Sequence, residues 1–583
     1  MAGAKKPVNI FRLKNTGEPS QIFNWRLWFA VVSFGLMGAA RGVDEGLISG
    51  AFNSKDFQRY INYESYSEVE QTNIKGDVTA MVQIGSVGGA LFAFLVCDRI
   101  GRIWATRQLC VLWVVGIAIF MGNGGSLGAV YAGRFIAGLG VGQTVVVAPV
   151  YLAEIAPASV RGLCTCVFTG FVYLGIVLAY FANYGAELNL GDNTHNRWVS
   201  DRNPGQIPGS DGFWIFTDNA QLVPTSIHIM FAGIIFILSF IQYESPRYLV
   251  KRGQHEKAIE NLSKIRGLHP EHEYIVNEFT AIQATHEAEL EATRGSGPIG
   301  VLKEAFWVPS NLYRVYLTFM AQILSQWSGA GSITVYAPDL FKLLGITGNN
   351  ESLLVSAIFG IVKLVAAIAC TLFLVDVIGR KRALLIGITL QAISMVYIAG
   401  FLSAVPEMGV NEDFELPENK KGASEGAIAM IYLSGFGWAL GWNSMQYLLT
   451  AELFPLRIRA LCTSMAMTLH FANQYGNARA VPNMLLPVAQ GGIDPKGTFW
   501  CFAAITIIGG VWVWFSIPET AGRSLESMDR LFALPWYKIG RYGNKDADQR
   551  DQFVEDKMEM AAQSEGAVEH SERVDPVDPS RRV

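Results

Sequence analysis

Three charged side chains stand inside long apolar runs, where charge is costly. Asp44 interrupts the first run, in Arg41-Gly42-Val43-Asp44-Glu45-Gly46. Arg134 lies early in a later one, in Gly133-Arg134-Phe135, and Lys363 breaks Ile361-Val362-Lys363-Leu364-Val365. A charge at the centre of a bilayer costs on the order of 2.5 kcal/mol or more, so such residues mark ion, proton or ligand pathways. A carboxylate and a guanidinium at matching depth neutralise each other across helices. Protonating the carboxylate releases the pair, which is the chemistry of a proton-coupling switch. The plainer alternative is a fixed structural ion pair. Arg41, one helical turn before Asp44, is the other candidate partner for the carboxylate. Lys363 needs an anionic ligand, a cage of helix carbonyls or a neighbouring acid.

A second pattern is repetition. Glu-x-x-Pro-x-x-x-Arg occurs as Glu154, Pro157, Arg161 and again as Glu452, Pro455, Arg459. Each copy is preceded by a matched pair, Asp98-Arg99-Ile100-Gly101-Arg102 and Asp376-Val377-Ile378-Gly379-Arg380. Each is followed by another, Glu244-Ser245-Pro246-Arg247 and Pro518-Glu519-Thr520. Three paired features in one order imply a duplicated membrane unit, and two halves rocking about a midplane site are how many transporters are built. The clusters read as gates on one face, with Asp98, Arg102, Glu154, Arg161, Glu244 and Arg247 answering Asp376, Arg380, Glu452 and Arg459 across the halves when that face is shut.

The elements that must position these residues are membrane helices. Of the 583 residues only 16% are charged, against about 25% in soluble domains, and the deficit comes from long uncharged runs. Twelve such runs are expected, near 27–48, 75–97, 106–122, 126–152, 164–184, 223–242, 315–337, 352–375, 383–403, 425–449, 460–485 and 498–517. Any one of them reads also as a buried core helix, but no soluble fold needs so many. Basic residues gather before the first run (Lys5, Lys6, Arg12, Lys14), between the second and third (Arg99, Arg102, Arg107) and between the eighth and ninth (Arg380, Lys381, Arg382). The positive-inside rule then puts these loops and both termini in the cytoplasm, with the acidic loop 404–424 outside. The first 24 residues are polar, so no cleavable signal peptide is expected. The seven cysteines lie in or beside apolar runs, so no disulfide and no cysteine metal site is expected.

The division along the chain follows: a cytosolic tail 1–24, a six-helix half 25–246, a cytosolic helical linker 247–314, a second six-helix half 315–535 and a disordered cytosolic tail 536–583. The linker shows helical patterning from His255 to Arg266 and from Pro270 to Ala292, with Pro270 suited to the first turn of the second helix. Its charges are of mixed sign, which argues against nucleic acid. Glu154 to Glu244 spans 90 residues and Glu452 to Glu519 spans 67, so the first half carries a surplus of 23 near 200–222. That stretch is either an outside surface loop or a retained intron, since its removal joins Trp198-Val199 to Val223-Pro224. Asn350-Glu351-Ser352 is a glycosylation sequon in an expected outside loop.

Polar and aromatic residues in the second half complete a candidate binding set: Gln326 and Tyr336 in the seventh run, Lys363 in the eighth, Trp442, Asn443 and Tyr447 in the tenth, His470 and Asn473 in the eleventh. Amides, hydroxyls and aromatic faces suit a polyol, whose hydroxyls need both donors and acceptors. Such residues also serve as interhelical glue. There is no Walker loop, which argues against an ATP-driven pump. Gly138, Gly140 and Gly142 lie in an apolar run and suit close helix packing.

Together these residues resemble the sugar porter family of the major facilitator superfamily, over about residues 25–535. The resemblance rests on Asp44, Asp98-Arg99-x-Gly101-Arg102, Gly133-Arg134, Glu154 to Arg161-Gly162, Asn183-Tyr184-Gly185, Glu244-Ser245-Pro246-Arg247, Asp376 to Arg380, Glu452-x-Phe454-Pro455 and Pro518-Glu519-Thr520-x-Gly522. It implies an all-α membrane protein of major facilitator fold, with twelve transmembrane helices in two pseudo-symmetric halves and alternating access. Within the family the chain is similar to the fungal branch that includes quinate permeases and hexose, pentose and sugar-acid carriers. The family's seventh-segment Gln-Gln-x-x-Gly-x-Asn reads Ser325-Gln326-Trp327-Ser328-Gly329-Ala330-Gly331 here. Its fifth- and sixth-segment glutamines fall on Thr169 and His228, and its tenth- and eleventh-segment tryptophans on Tyr447 and His470, which argues against ordinary glucose recognition.

The resulting expectation is a plasma-membrane proton symporter for a sugar, a sugar acid or a quinate-like polyol. Asp44, Arg134 and Arg41 form the proton-coupling set, and Thr169 and His228 join the binding residues above. It is expected to be no enzyme, to need no cofactor or metal and to act as a monomer in the lipid bilayer. A nutrient sensor without flux and a passive uniporter are the alternatives.

Overall fold

The computed structural model describes residues 19–51, 58, 61–157, 160–190, 222–293, 298–346, 348–370, 379–408, 414, 416–443, 453–520 and 525–540. Among them the chain is helical, without strands. The first half is α1 (Trp25–Ala51), α2 (Glu68–Ile100), α3 (Arg102–Met121), α4 (Leu127–Ile155), α5 (Arg161–Leu190) and α6 (Leu222–Leu238). Short helices follow: α7 (Pro246–Lys251), α8 (His255–Arg266), α9 (Glu273–Thr293) and α10 (Pro298–Trp307). The second half is α11 (Pro309–Gln326), α12 (Ala330–Val335), α13 (Ala337–Leu343), α14 (Asn349–Ala369), α15 (Arg380–Ala404), α16 (Glu418–Trp438), α17 (Leu456–Leu485) and α18 (Asp494–Ser516). Two short helices, α19 (Leu525–Phe532) and α20 (Trp536–Ile539), end it.

Where they are described, the twelve expected apolar runs fall largely on helix, the sixth outrunning α6, which ends at Leu238. Eight helices among the described residues are long and apolar enough to cross a membrane: 20–50, 68–100, 102–121, 127–155, 167–188, 349–369, 380–404 and 494–516. Large apolar side chains such as Leu95, Val365 and Ile508 point outward, whereas Asp44, Arg134 and Lys363 are buried. That is the inverse of a soluble surface and suits lipid outside with polar groups satisfied within.

The seventh run departs from the single span expected over 315–337. It breaks at Trp327–Gly329, where Gly329 has φ +87°, and again at Tyr336. The break frees carbonyls that other helices then occupy: Asn477 Nδ2 donates to Gln326 O (2.5 Å) and Gln391 Nε2 to Ser328 O (3.3 Å). Broken helices of this kind are tolerated only where protein or a water-filled cavity meets the backbone. The tenth run continues past α16 as a π-helical turn, Ala439–Asn443.

Small residues set the packing. A methyl group at Gly42 would collide with the Val172 carbonyl, so α1 and α5 touch backbone to backbone. Gly138 and Gly142 sit in the same way against Val82 and Ser86 of α2, and Gly140 against Leu109 and Trp113 of α3. The halves meet mainly through α2 against α17 and α5 against α14.

The repeat is structural as well as sequential. Gly101 and Gly379 both adopt φ +93°, each just before a long helix. Glu244 then accepts from the backbone N–H of Arg102 (3.0 Å) and of Ile103 (3.2 Å). Glu519 accepts from Arg380 (2.8 Å) and Lys381 (3.2 Å). In each half the last motif therefore caps the helix that the first motif starts, with a carboxylate at a helix N-terminus. Burial raises the Glu244 carboxyl, against the lowering pull of the N–H groups of Ser245, Ile103 and Arg102.

The linker is helical where expected, but α9 begins at Glu273, leaving Pro270 in the preceding turn. Arg266 ties α8 to the end of α4 through the Ile155 carbonyl (2.8 Å) and to Glu278 (2.5 Å). Asn24 and Arg26, at the start of α1, donate to the carbonyls of Ile265 and Lys264, both at 2.9 Å. Both α9 and α10 touch α17, so these helices contact both halves. The expected insertion near 200–222 lies almost wholly outside the described residues. Asn350 is exposed in the first turn of α14.

Gly379→Ala places a Cβ at φ +93° and 2.7 Å from Glu519 Oε2. It is expected to cost about 1–3 kcal/mol, read as a lower melting temperature of the purified protein in detergent. Gly422→Ala, on the exposed face of α16 with nothing within 4 Å of the new Cβ, is expected to leave the melting temperature unchanged or raise it.

Candidate functional site

Helix α1 carries two charged faces. Arg41 and Glu45 are four residues apart and share one face; Asp44 lies about 100° round the helix from Glu45. Asp44 points into its own half, where Oδ1 accepts from Arg134 Nη1 at 2.7 Å. Arg134 is steadied by the Val78 carbonyl (Nε, 3.4 Å) and lies near the Phe120 ring. His228 of α6 faces the same carboxylate, Nε2 to Oδ1 3.5 Å. All three side chains are buried.

The other face of α1 crosses to the second half. Arg41 Nη2 lies 3.1 Å from Glu45 Oε1, 3.1 Å from His470 Nε2 and 3.5 Å from Gln474 Oε1. Gln474 Nε2 donates to Glu45 Oε1 at 3.1 Å. Because a guanidinium only donates, His470 Nε2 accepts and Nδ1 carries the hydrogen. Nδ1 then donates to Gln322 Oε1 at 3.0 Å, with the Gln326 amide 3.1 Å from the same nitrogen. This chain of contacts joins α1, α17 and α11 beside the break in the seventh run.

Lys363, buried in α14, is held differently. Its ammonium donates to Thr334 Oγ1 at 2.6 Å and lies 5.1 and 5.3 Å from the ring centres of Tyr173 and Phe359. Tyr180 of α5 donates to the Thr334 carbonyl at 2.5 Å. Among the described residues no carboxylate lies within ion-pair distance of Lys363. A buried lysine touched by a hydroxyl and two ring faces, with the Glu45 carboxylate acting only from beyond ion-pair distance, keeps much of its desolvation cost.

The two ends of the bundle differ. Where α2 begins, the halves are tied by Lys75–Asp339 (2.8 Å) and Asp77–Arg479 (2.5 Å). Asn73 accepts there from Arg479 (3.0 Å) and Asn483 (3.2 Å). At the end of α2 the ion pairs among the described residues join the first half to itself and to the linker: Arg102 with Glu154 (2.7 Å) and Asp98 (3.4 Å), and Lys251 of α7 with Asp98 (2.6 Å).

The family model described as "Sugar (and other) transporter" matches residues 29–532. The chain belongs to that family. It is accordingly an integral membrane protein of a transporter family rather than of an enzyme family. It is similar to the quinate permease of Emericella nidulans, 30% identical over 522 residues, 88% of this chain and 90% of the relative. A probable quinate permease of Aspergillus niger is 30% identical over 516 residues, 88% and 89% of the two chains. The solved proton:xylose symporter XylE, bound to 6-bromo-6-deoxy-D-glucose, superposes with a TM-score of 0.67 at 22% identity, covering 87% of this chain and 99% of its own. XylE of E. coli in a partially occluded inward-open conformation gives 0.64 at 20% identity, covering 86% and 100%. The major facilitator fold follows from these superpositions.

Against this sugar transporter fold the expected residues sort as follows. Asp44 and Arg134 pair. Arg41 does not join them: its length and its i,i+4 relation to Glu45 carry it across to α17. His228 sits with Asp44, not with Gln326 and the other expected binding residues, because α6 packs on α1 and α3. Gln326 meets His470 and Lys363 meets Thr334. Tyr336 donates to the Ala478 carbonyl (2.7 Å) and Asn473 accepts from Trp327 (3.1 Å). Thr169 is buried on α5. Trp442 and Asn443 are buried in the π-helical turn, and Trp442 Nε1 and Asn443 Nδ2 have no partner among the described residues. Tyr447, Asp376, Glu452 and the Arg161 side chain lie outside what the structure describes.

Of the expected gate residues, Glu244 caps α3 and Arg459 turns back to the Phe454 carbonyl (2.9 Å). Arg380 donates its backbone N–H to Glu519, and Arg247 is half-buried in α7. Among the described residues Arg102 and Glu154 pair inside the first half, where the start of α3 meets the end of α4; Asp376 and Glu452, the expected partners in the other half, lie outside the described residues. Sequence reasoning missed Glu45, Gln322, Gln474 and Asn477. Their signal was spacing: Arg41 and Glu45 at i,i+4, and His470, Gln474 and Asn477 along one face of α17.

Arg134→Gln leaves the Asp44 carboxylate buried without its charge partner and is expected to lose about 3–5 kcal/mol of stability. Adding Asp44→Asn restores a neutral pair and is expected to regain most of it. Thermal denaturation of the three proteins in detergent measures both steps; a single variant as stable as the parent would contradict the pair's role.

Proposed function

We propose that this chain is a secondary active transporter that carries a polyhydroxylated acid, a sugar acid or a quinate-like cyclitol acid, together with a proton by alternating access. The observation that carries this reading is Lys363, a buried ammonium in contact with a hydroxyl and two aromatic rings, with no carboxylate at ion-pair distance among the described residues and the Glu45 charge acting on it only from further off. Asp44 cancels Arg134 and Glu45 cancels Arg41, so Lys363 leaves one positive charge at the interface of the halves. A substrate carboxylate supplies the missing anion. Hydroxyls of the same substrate suit the buried donors Trp442 Nε1 and Asn443 Nδ2. The names of the fungal quinate permeases agree with an acid substrate. XylE, a proton:xylose symporter, agrees with coupling to protons.

Asp44 takes the coupling proton and Arg134 responds to it. The ties at Lys75–Asp339 and Asp77–Arg479 are the outer gate, shut in this structure, and the Asp98, Arg102 and Glu154 cluster belongs to the cytosolic gate. The termini and the helices 247–314 face the cytoplasm of a plasma-membrane monomer. No observation on the described residues favours a sensor or a passive uniporter over this reading.

The test is uptake of labelled quinate, galacturonate, glucose and xylose in cells lacking their own carriers, with and without a proton uncoupler. Accumulation of an acid that the uncoupler abolishes is expected. Lys363→Met removes a charged hydrogen bond of about 1.5–3 kcal/mol, so KM for the acid is expected to rise tenfold or more. Asp44→Asn is expected to abolish accumulation. Absence of uptake with the protein verified at the cell surface, or an unchanged KM in Lys363→Met, would overturn the reading.

A further inference from the structure

The carboxylate of Asp44 has a second neighbour whose protonation state follows from geometry. His228 is 2% exposed. Its Nδ1 lies 3.0 Å from the Thr225 carbonyl oxygen. A carbonyl only accepts, so Nδ1 carries the hydrogen and the neutral ring presents a lone pair at Nε2. That nitrogen has no hydrogen-bond partner among the described residues, and it faces Asp44 Oδ1 at 3.5 Å. Without a further proton, two acceptors confront each other in a buried site. Such an arrangement is costly, since neither lone pair is answered. One proton removes the conflict, either as an imidazolium donating to the carboxylate or as a carboxyl donating to the imidazole.

We propose that His228 and Asp44 hold one proton between them, so that the coupling proton belongs to the pair and not to Asp44 alone. The inference rests on Asp44 being the proton-coupling site. The proton arrives from water on one side, forms one N–H or O–H bond within the pair, and leaves to water on the other; Arg134 stays charged throughout. Two interacting sites then titrate as a unit with a shared apparent pKa.

The other charges around His228 are accounted for. On α1, Arg41 and Glu45 face α17. On α4, Glu154 binds Arg102. On α3, Arg102 is so engaged, Arg107 reaches Ser239 beyond the end of α6, and Trp113 presents its ring at 5.8 Å to the imidazole. The described charge on α5, Glu187, accepts from Asn349. Helix α6 holds no other ionisable side chain. Asp44 and Arg134 are thus the charges His228 meets.

Infrared titration of the purified protein from acid to alkaline pH tests this without a substrate. Ring-15N histidine labelling marks the imidazole bands, and Asp44→Asn marks the carboxyl bands. In the unsubstituted protein the Asp44 and His228 bands are expected to change at one common midpoint. In His228→Gln the amide N–H donates to the carboxylate and relieves the opposition of acceptors. With no imidazole to share the proton, the carboxyl midpoint is expected to move by about one unit or more from that of the unsubstituted protein. His228→Asn serves as the second variant. If Asp44→Asn leaves the carboxyl titration unchanged, Asp44 is not the coupling site. If Asp44→Asn abolishes it but the imidazole of the unsubstituted protein titrates independently, or the His228 variants leave the midpoint unmoved, only the shared proton is overturned.

Discussion

The ion pair between Asp44 and Arg134 is the constraint around which the first half is built. In a bundle whose outer surface is apolar, a buried charge persists only where another charge or dipole answers it, and breaking one partner is far costlier than never having the pair. The geometry of α1 makes the pair possible. Gly42 lets α1 lie backbone to backbone on α5, while Gly138 and Gly142 draw α4 against α2, so Asp44 and Arg134 meet at 2.7 Å without long side-chain excursions. About one hundred degrees round the same helix, Arg41 and Glu45 reach the other half. A single helix therefore holds the carboxylate proposed to carry the proton on one face and an inter-half contact on the next. Any rearrangement at Asp44 is felt at α17 through a rigid element, not through a flexible loop.

Symmetry and chemistry divide the molecule between them. Gly101 with Glu244 and Gly379 with Glu519 build the same corner in both halves, down to the same φ and the same two backbone donors. The side chains with unusual charge have no such counterpart. Lys363 has no twin in the first half and Asp44 none in the second. The break at Trp327–Gly329 belongs to the seventh run. Duplication thus accounts for the scaffold, and the candidate site lies where the two copies have diverged.

What was readable in the chain follows the same division. Apolar runs and the two helices of the linker depend on local periodicity, and most of their described residues fall on helix, whereas the paired motifs mark the corners between helices. The broken seventh run was not readable as a break, although Gly329 stood in it, because glycine is common in membrane helices for packing alone. The partner of Asp44 was readable as a short choice between Arg41 and Arg134, and the choice turned on an i,i+4 neighbour, Glu45. His228 was placed among binding residues by its register against a family pattern. Its real setting depends on how α6 leans on α1 and α3, which is a property of three-dimensional packing.

The charges explain why an acid and a proton would travel together. With Asp44 ionised, the pairs Asp44–Arg134 and Glu45–Arg41 are neutral, and Lys363 leaves the empty interface at plus one. A bound carboxylate brings it to zero, and a proton at Asp44 and His228 restores plus one. The empty and fully loaded forms then carry the same charge, so moving a monovalent acid with one proton does no net work against the membrane potential, which is worth about 2.3 kcal/mol per charge per 100 mV. A neutral sugar would load the same site to plus two. It would need Lys363 to stay unanswered in a medium where that is costly. On the proposed reading the buried charges therefore favour an anion before any hydroxyl is read, and the pH gradient is the force that such a carrier would exploit.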